Sequence, residues 1–271
     1  MDISVLFSAM PGAVAQGLIW GIMAIGVYIT YKILDVADLT VDGSMCTGGA
    51  VSIMMMLNGY NVWVSLLAAF IAGMLAGLVT GIFHTFMGIP AILAGILTQL
   101  ALYSINLKIM GRANQAISVM NYDLLVSLRN VKNVPFYQNS IFVVAIFCIV
   151  IIGILYWFFG TELGASIRAT GCNEQMARAQ GINTGFNKVL ALMISNGLVG
   201  LCGGIYAQYQ GAADVNMGRG AIVIGLAAVI ISEVIFGKFC AHRKAAFAFT
   251  LGAVFIGAIL YYLVIALVLW L

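Results

Sequence analysis

From residue 13 to residue 271 the chain reads as about eight apolar runs, most of them near the roughly 20 residues that an α-helix needs to cross a hydrocarbon core about 30 Å thick. They cover 13–34, 44–58, 62–87, 90–107, 140–160, 189–210, 219–237 and 246–271, the second being short. Inside a bilayer every backbone N–H and C=O needs a partner within the protein, and long runs without period-two alternation meet that need as helices. The expected fold is an all-α polytopic membrane protein, one transmembrane domain over 1–271. Composition agrees, with 63% of residues hydrophobic and 8% charged, against about 25% charged in a soluble domain. So few charges exclude a soluble enzyme, a disordered tail and a nucleic-acid module, and a net charge of +3 is too small to bind a polyanion. The lipid bilayer is the first partner. Asp2, with no basic stretch before the first run, makes that run a retained span rather than a cleaved signal. The cysteines, Cys46, Cys148, Cys172, Cys202 and Cys240, show neither disulfide nor metal spacing and read as small core residues.

Lys and Arg placement orients the spans. With 161–188 cytoplasmic, Lys32, Arg168, Arg178, Lys188, Lys238, Arg243 and Lys244 lie inside, and Lys108, Arg112, Arg129, Lys132 and Arg219 lie outside. The N-terminus is then external. So is 108–139, a loop with Asn121, Asp123, Asn130 and Pro135 that offers the main outer surface to a partner.

A weak repeat runs through this arrangement. Gly17-Leu18-Ile19 opens a span that ends at Ala37-Asp38-Leu39-Thr40-Val41-Asp42-Gly43, and Gly197-Leu198-Val199 opens one that ends at Ala213-Asp214-Val215-Asn216-Met217-Gly218. The first span runs inward and the second outward. The halves, about 13–107 and 189–271 joined by 108–188, therefore form an inverted repeat, the arrangement transporters use around a site near the midplane. Chance similarity in low-diversity apolar sequence is the alternative. The fourth span has no counterpart, so either the last span ends unusually or a ninth helix is expected beyond Leu271.

Segment 161–188 carries a short capped helix. Asn173 is placed as its N-cap, Glu174 sits at the positive end and four residues before Arg178, and Gly181 supplies a left-handed stop. Met176, Ala177 and Ile182 make a small apolar face, and a helix this short needs a partner surface.

The pattern Gly164-x3-Arg168-Ala169-x-Gly171-x-Asn173-x3-Ala177-x3-Gly181-Ile182-Asn183, followed by Gly200 and Gly203-Gly204, resembles the cytoplasmic coupling loop of ABC importer permeases of the branched-chain amino acid and ribose type. About 120 residues earlier, Val36-Ala37-Asp38-Leu39-Thr40-Val41-Asp42-Gly43-Ser44 resembles the Ile-Asp-Leu-Ser-Val-Gly-Ser stretch of sugar permeases in that family. The similarity covers nearly the whole chain, with two departures. Asp42-Gly43 replaces a single glycine, and Ile231-Ser232-Glu233-Val234 stands where Ala-Val-Leu-Gly-Gly is usual. The combination is most similar to the subgroup paired with tryptophan- or tyrosine-type binding proteins, which implies an aromatic amino acid as cargo.

The resemblance implies a bacterial cell-membrane assembly: an external binding protein, a permease dimer, and two cytoplasmic ATPase subunits that hold ATP and Mg. The ATPase-coupling residues it implies are Arg168, Ala169, Gly171, Asn173, Glu174, Ala177, Arg178, Gly181 and Ile182. No cofactor is expected in this chain, which lacks the Gly-x4-Gly-Lys-Ser/Thr loop for phosphate.

Ionisable groups at membrane depth are costly and often face a pathway. Asp38, Thr40, Asp42, Asp214 and Asn216 are expected to line or shape the substrate path, or else to cap helices at the membrane surface. Glu233 is either a gate residue or a partner of Lys238. Gln16, Gln99, Asn196, Gln208 and Tyr209 either touch a zwitterionic substrate or bond between helices. The glycines at 73, 77 and 81 permit close backbone approach within the bundle or across a dimer. Met54-Met55-Met56 has no Cys or His at ligand spacing and no metal is expected; His84 and His242 form no catalytic box. An ion-coupled secondary transporter is the main rival, and the coupling-type loop separates the two, since an ion-driven carrier has no ATPase to dock.

Overall fold

The computed structural model describes residues 3–118, 122, 124–127, 139–240 and 246–270. The loop residues Asn121, Asp123, Arg129, Asn130, Lys132 and Pro135, and the inner residues His242, Arg243 and Lys244, lie outside the described residues. The described helices are α1 (Ile3–Tyr28), α2 (Thr40–Leu57), α3 (Val62–Thr85), α4 (Ala91–Met110), α5 (Ser140–Gly160), α6 (Glu162–Cys172), α7 (Glu174–Ala179), α8 (Thr184–Gln210), α9 (Ala221–Cys240) and α10 (Ala246–Trp270). A π-helical turn, Ile29–Ile33, extends α1. The strands β1 (Asn114–Ala116) and β2 (Ala212–Asp214) pair antiparallel, Gln115 facing Ala213, and tie the end of α4 to the end of α8.

Each expected apolar run is a helix, and the chain is an all-α polytopic membrane protein, six of whose described helices are long and apolar enough to span. One run differs from expectation. The short second run becomes an 18-residue helix beginning at Thr40, whose N–H the side chain of Asp38 accepts. Elsewhere the starts follow side-chain capping: Asn61, Asn139, Thr161 and Asn183 each accept a backbone N–H from the first turn of α3, α5, α6 and α8.

The most buried spans are α1 and α8, which pack on each other. The partners they recruit are crossed in sequence. Helix α1 lies against α9 and α10, while α8 lies against α2 and α3. The glycine stripe of α3 explains how closely α8 sits. A Cβ at Gly73 would fall on the carbonyl of Asn196, and one at Gly77 on that of Leu192. The stripe thus serves packing within one chain. Apolar side chains exposed on α3, α4, α5 and α10, among them Leu67, Leu97, Ile149 and Val264, present the surface that lipid covers.

Candidate substrate pathway and coupling site

The inner end of α1 does not run on into α2. Its last turn widens to π spacing, with Leu34 N–H on the Ile29 carbonyl at 3.0 Å and Val36 N–H on that of Thr30 at 2.9 Å. Asp35 follows with φ of 56°, a left-handed conformation rare outside glycine. The short link up to Leu39 then delivers Asp38 into the bundle, where it is 2% exposed. One carboxyl oxygen accepts the Thr40 N–H at 2.9 Å and the other accepts the Asn196 amide of α8 at 2.6 Å. Asn196 in turn accepts the Ser44 hydroxyl at 2.6 Å. Beside it, Thr40, Thr80 and Thr98 link hydroxyls at 2.7 and 2.9 Å, joining α2, α3 and α4. Asp38 and Thr40 are therefore bound into a closed polar network. Neither one lines the cavity of about 230 Å³ beside Asp42.

Asp42, one turn further along α2, reaches across the molecule. Its carboxylate accepts the backbone N–H groups of Gly220 and Ile222, both at 3.1 Å, and so caps α9, whose positive end favours a negative charge. It also faces a cavity of about 230 Å³ lined by Asp42, Gln99, Tyr103, Asn106 and Arg219, with Gly43, Cys46, Leu100 and Val215 completing the wall. Gln99 and Asn106 stand about 12 and 22 Å along α4, itself about 30 Å long, so the cavity occupies the middle and outer part of the bundle.

Asp214 repeats part of the Asp38 geometry at the outer surface. Its carboxylate accepts the Asn216 N–H at 2.6 Å and the Asn114 amide, across the β1–β2 pair, at 3.3 Å. Neither Asp214 nor Asn216 lines the 230 Å³ cavity; their neighbours Val215 and Arg219 do. Glu233 pairs with Lys32 at 2.6 Å, joining the inner ends of α1 and α9, while the side chain of Lys238 lies outside the described residues.

In the segment between α5 and α8, Asn173 accepts the Met176 N–H at 3.0 Å and starts α7, and Gly181 follows it with φ of 80°. Glu174 is the anchor. It pairs with Arg178 at 2.7 Å and with Lys188 of α8 at 2.8 Å, and it accepts the Thr184 hydroxyl at 3.2 Å. The Lys188 ammonium, more than any other group, holds the Glu174 carboxyl below its ordinary range. The expected apolar face divides, because Ala177 turns into the protein while Met176 is exposed. Arg168 donates to the Phe159 carbonyl at 3.0 Å, which pins α6 under α5. Gly171 of α6 rests on the π turn, where a Cβ would collide with the Ile33 carbonyl. Ala169 and Ile182 flank this unit, and Ile182 closes α7 by donating its N–H to the Ala177 carbonyl at 3.1 Å.

Tyr103, Asn106 and Arg219 go unmarked by any motif. The signals that point to them are an amide one turn inside the outer end of α4 and an arginine on the side that positive charge usually avoids.

Comparison with known proteins assigns this architecture. The sequence profile of the branched-chain amino acid transport system permease component matches residues 10–271. The chain belongs to this permease family. The permease is 42% identical over 233 residues to the tyrosine transport system permease protein of Clostridioides difficile (strain R20291), a match covering 86% of this chain and 75% of that one. It is 34% identical over 263 residues to an uncharacterized protein of Rickettsia prowazekii (strain Madrid E), covering 95% and 88%. It is 27% identical over 230 residues to the fructose import permease protein of Bifidobacterium longum (strain NCC 2705), covering 82% and 61%. The permease is thus an ABC-type, multi-pass protein of the bacterial cell membrane, and its family is the non-catalytic membrane component of amino-acid and related transport systems.

Proposed function

We propose that the chain is the permease subunit of an ATP-driven ABC importer whose cargo is an aromatic amino acid. The 42% identity to a tyrosine transport system permease over most of the chain carries the substrate class. In this reading two permease chains form the pathway, an external binding protein loads it, and cytoplasmic ATPase subunits, which hold ATP and Mg, grip α7. This chain has no phosphate-binding loop of its own and does no hydrolysis.

The geometry supports a route for force. A groove on the ATPase receives exposed Met176 and the Glu174–Arg178 pair, and its closure displaces α7. Glu174 passes that displacement to the base of α8 through Lys188 and Thr184, while Gly171 passes it to the π turn below the break in α1. Both routes end on α2. The halves 13–107 and 189–271 act as inverted repeats interlocked through α1 and α8, and the 230 Å³ cavity, in the middle and outer part of the bundle, holds the cargo.

The test is co-expression with the neighbouring transport genes and reconstitution into proteoliposomes. Co-purification of an ATPase subunit and ATP-dependent uptake of radiolabelled tyrosine are expected, with uptake abolished when the phosphate-loop lysine of that subunit is replaced. Transport that survives that replacement sinks the ATP-driven reading. Glu174→Arg, which reverses the anchor charge, is expected to leave membrane insertion intact and uncouple hydrolysis from uptake; unchanged uptake in this variant removes α7 from the route.

A further inference from the structure

We infer that the cavity between α2, α4 and the start of α9 is a recognition site for the zwitterionic head of an amino acid, with Arg219 taking the carboxylate, Asp42 the ammonium and Asn106 a hydrogen bond to either. The inference rests on the proposed amino-acid cargo and goes further by placing selectivity on this chain, beside that of the binding protein.

Two observations meet in this cavity. The first is Asn106, fully buried on its wall, whose amide nitrogen and oxygen both lack a hydrogen-bond partner among the described residues. An orphaned buried amide leaves hydrogen-bonding capacity unmet, a cost that a ligand with donor and acceptor atoms removes. The second is an acid and a base that share the cavity without pairing. The ion pairs of the described residues are Lys32–Glu233, Arg178–Glu174 and Lys188–Glu174, and Arg219 is in none of them. Asp42 spends one lone pair of each oxygen on the N–H groups of Gly220 and Ile222, and retains others for a cation. Opposite charges held apart across a cavity match a ligand that carries both. A sugar offers neither charge. Tyr103 and Leu100 supply an aromatic and an apolar surface beside the charged groups, and Gln99 a further amide.

The experiment uses the whole importer in nanodiscs, without its binding protein, and measures binding of radiolabelled tyrosine. Tyramine, which lacks the carboxylate, and 3-(4-hydroxyphenyl)propionate, which lacks the ammonium, are the competitors. Tyrosine is expected to bind and neither analogue to displace it at equal concentration. Arg219→Gln is expected to weaken binding about tenfold, the loss of one charge-assisted hydrogen bond, with partial recovery in Arg219→Lys. Asn106→Leu, which fills the orphaned position with an apolar side chain, is expected to weaken binding without disturbing assembly. The site is overturned if wild type does not bind tyrosine, if tyramine competes as well as tyrosine, or if Arg219→Gln and Asn106→Leu both bind like wild type. Should Arg219→Gln fail to assemble, the competition series on wild type decides. ATP-driven uptake of tyrosine by both variants at the wild-type rate refutes the site and leaves the proposed function standing, whereas uptake of fructose and not tyrosine by wild type refutes the proposed cargo first.

Discussion

The break before α2 and the turn before α9 begin with the same chemistry and end in different surroundings. In each, an aspartate accepts the backbone N–H two residues on, Asp38 from Thr40 and Asp214 from Asn216. Asp38 then enters the core, where Asn196 of α8 takes its second oxygen. Asp214 stays at the outer edge, where its further partner is Asn114 on a two-stranded ribbon. One local turn thus serves as a structural pin in the first place and as a surface latch in the second. What separates them is the element that lies opposite: a buried helix face in one case, an exposed strand in the other.

The comparison is most sharply tested by removing each aspartate in turn. Asp38→Ala strands the Asn196 amide and the Thr40 N–H in a dry site, and a loss of about 3 kcal/mol is expected, read as a lower thermal midpoint of the purified protein. Asp214→Ala, with water at hand, is expected to cost under about 1 kcal/mol in the same assay. Equal losses would remove the distinction. Asp42→Ala comes next, because Asp42 is the side chain that links the two regions; loss of the α9 cap is expected to cost about 1–2 kcal/mol, and Asp42→Asn, which keeps an acceptor, is expected to recover part of it.

A smaller effect is expected where the comparison meets the cytoplasmic unit. Gly171→Val drives a side chain into the Ile33 carbonyl below the break, so it is expected to lower uptake per ATP hydrolysed while the outer latch residues keep their hydrogen-exchange protection. The smallest concerns Glu174. Its carboxyl lies below the ordinary value in the folded protein, so the stability it lends is fully present above about pH 4.3 and is lost as pH falls further, through the lowered folded value. A thermal-midpoint profile between pH 7 and pH 3 is expected to show this acid-side decline in wild type and a flatter one in Glu174→Gln. Because about a third of the side chain is exposed, solvent screening keeps the difference small.

Much of the helical frame was legible from short-range signals. The span positions follow from apolar run length, and the cap at Asn173 needs only a polar side chain ahead of a helix-forming run. The site was less legible. Asp38 and Asn196 stand 158 positions apart, and nothing local announces that they bond at 2.6 Å. Helix α2 begins at Thr40, four residues before the apolar run at 44, where Asp38 accepts the Thr40 N–H and Asp42 finds its partners on distant α9. Met176 and Ala177 appear as one apolar face in sequence, and burial splits them.

By itself the sequence determined the solvent, the helices and the cap of α7, because apolar length and N-capping act within one span. Its coupling-loop pattern also carried the permease family. Only the tertiary structure decided that the glycine stripe of α3 seats α8 within one chain, that Glu233 pairs with Lys32, and that Asp42, Asn106 and Arg219 face a common space. These are contacts between helices far apart in the chain, and in a uniformly apolar sequence many pairings have similar hydropathy. Close packing of small residues and the need to satisfy each buried polar group choose among them.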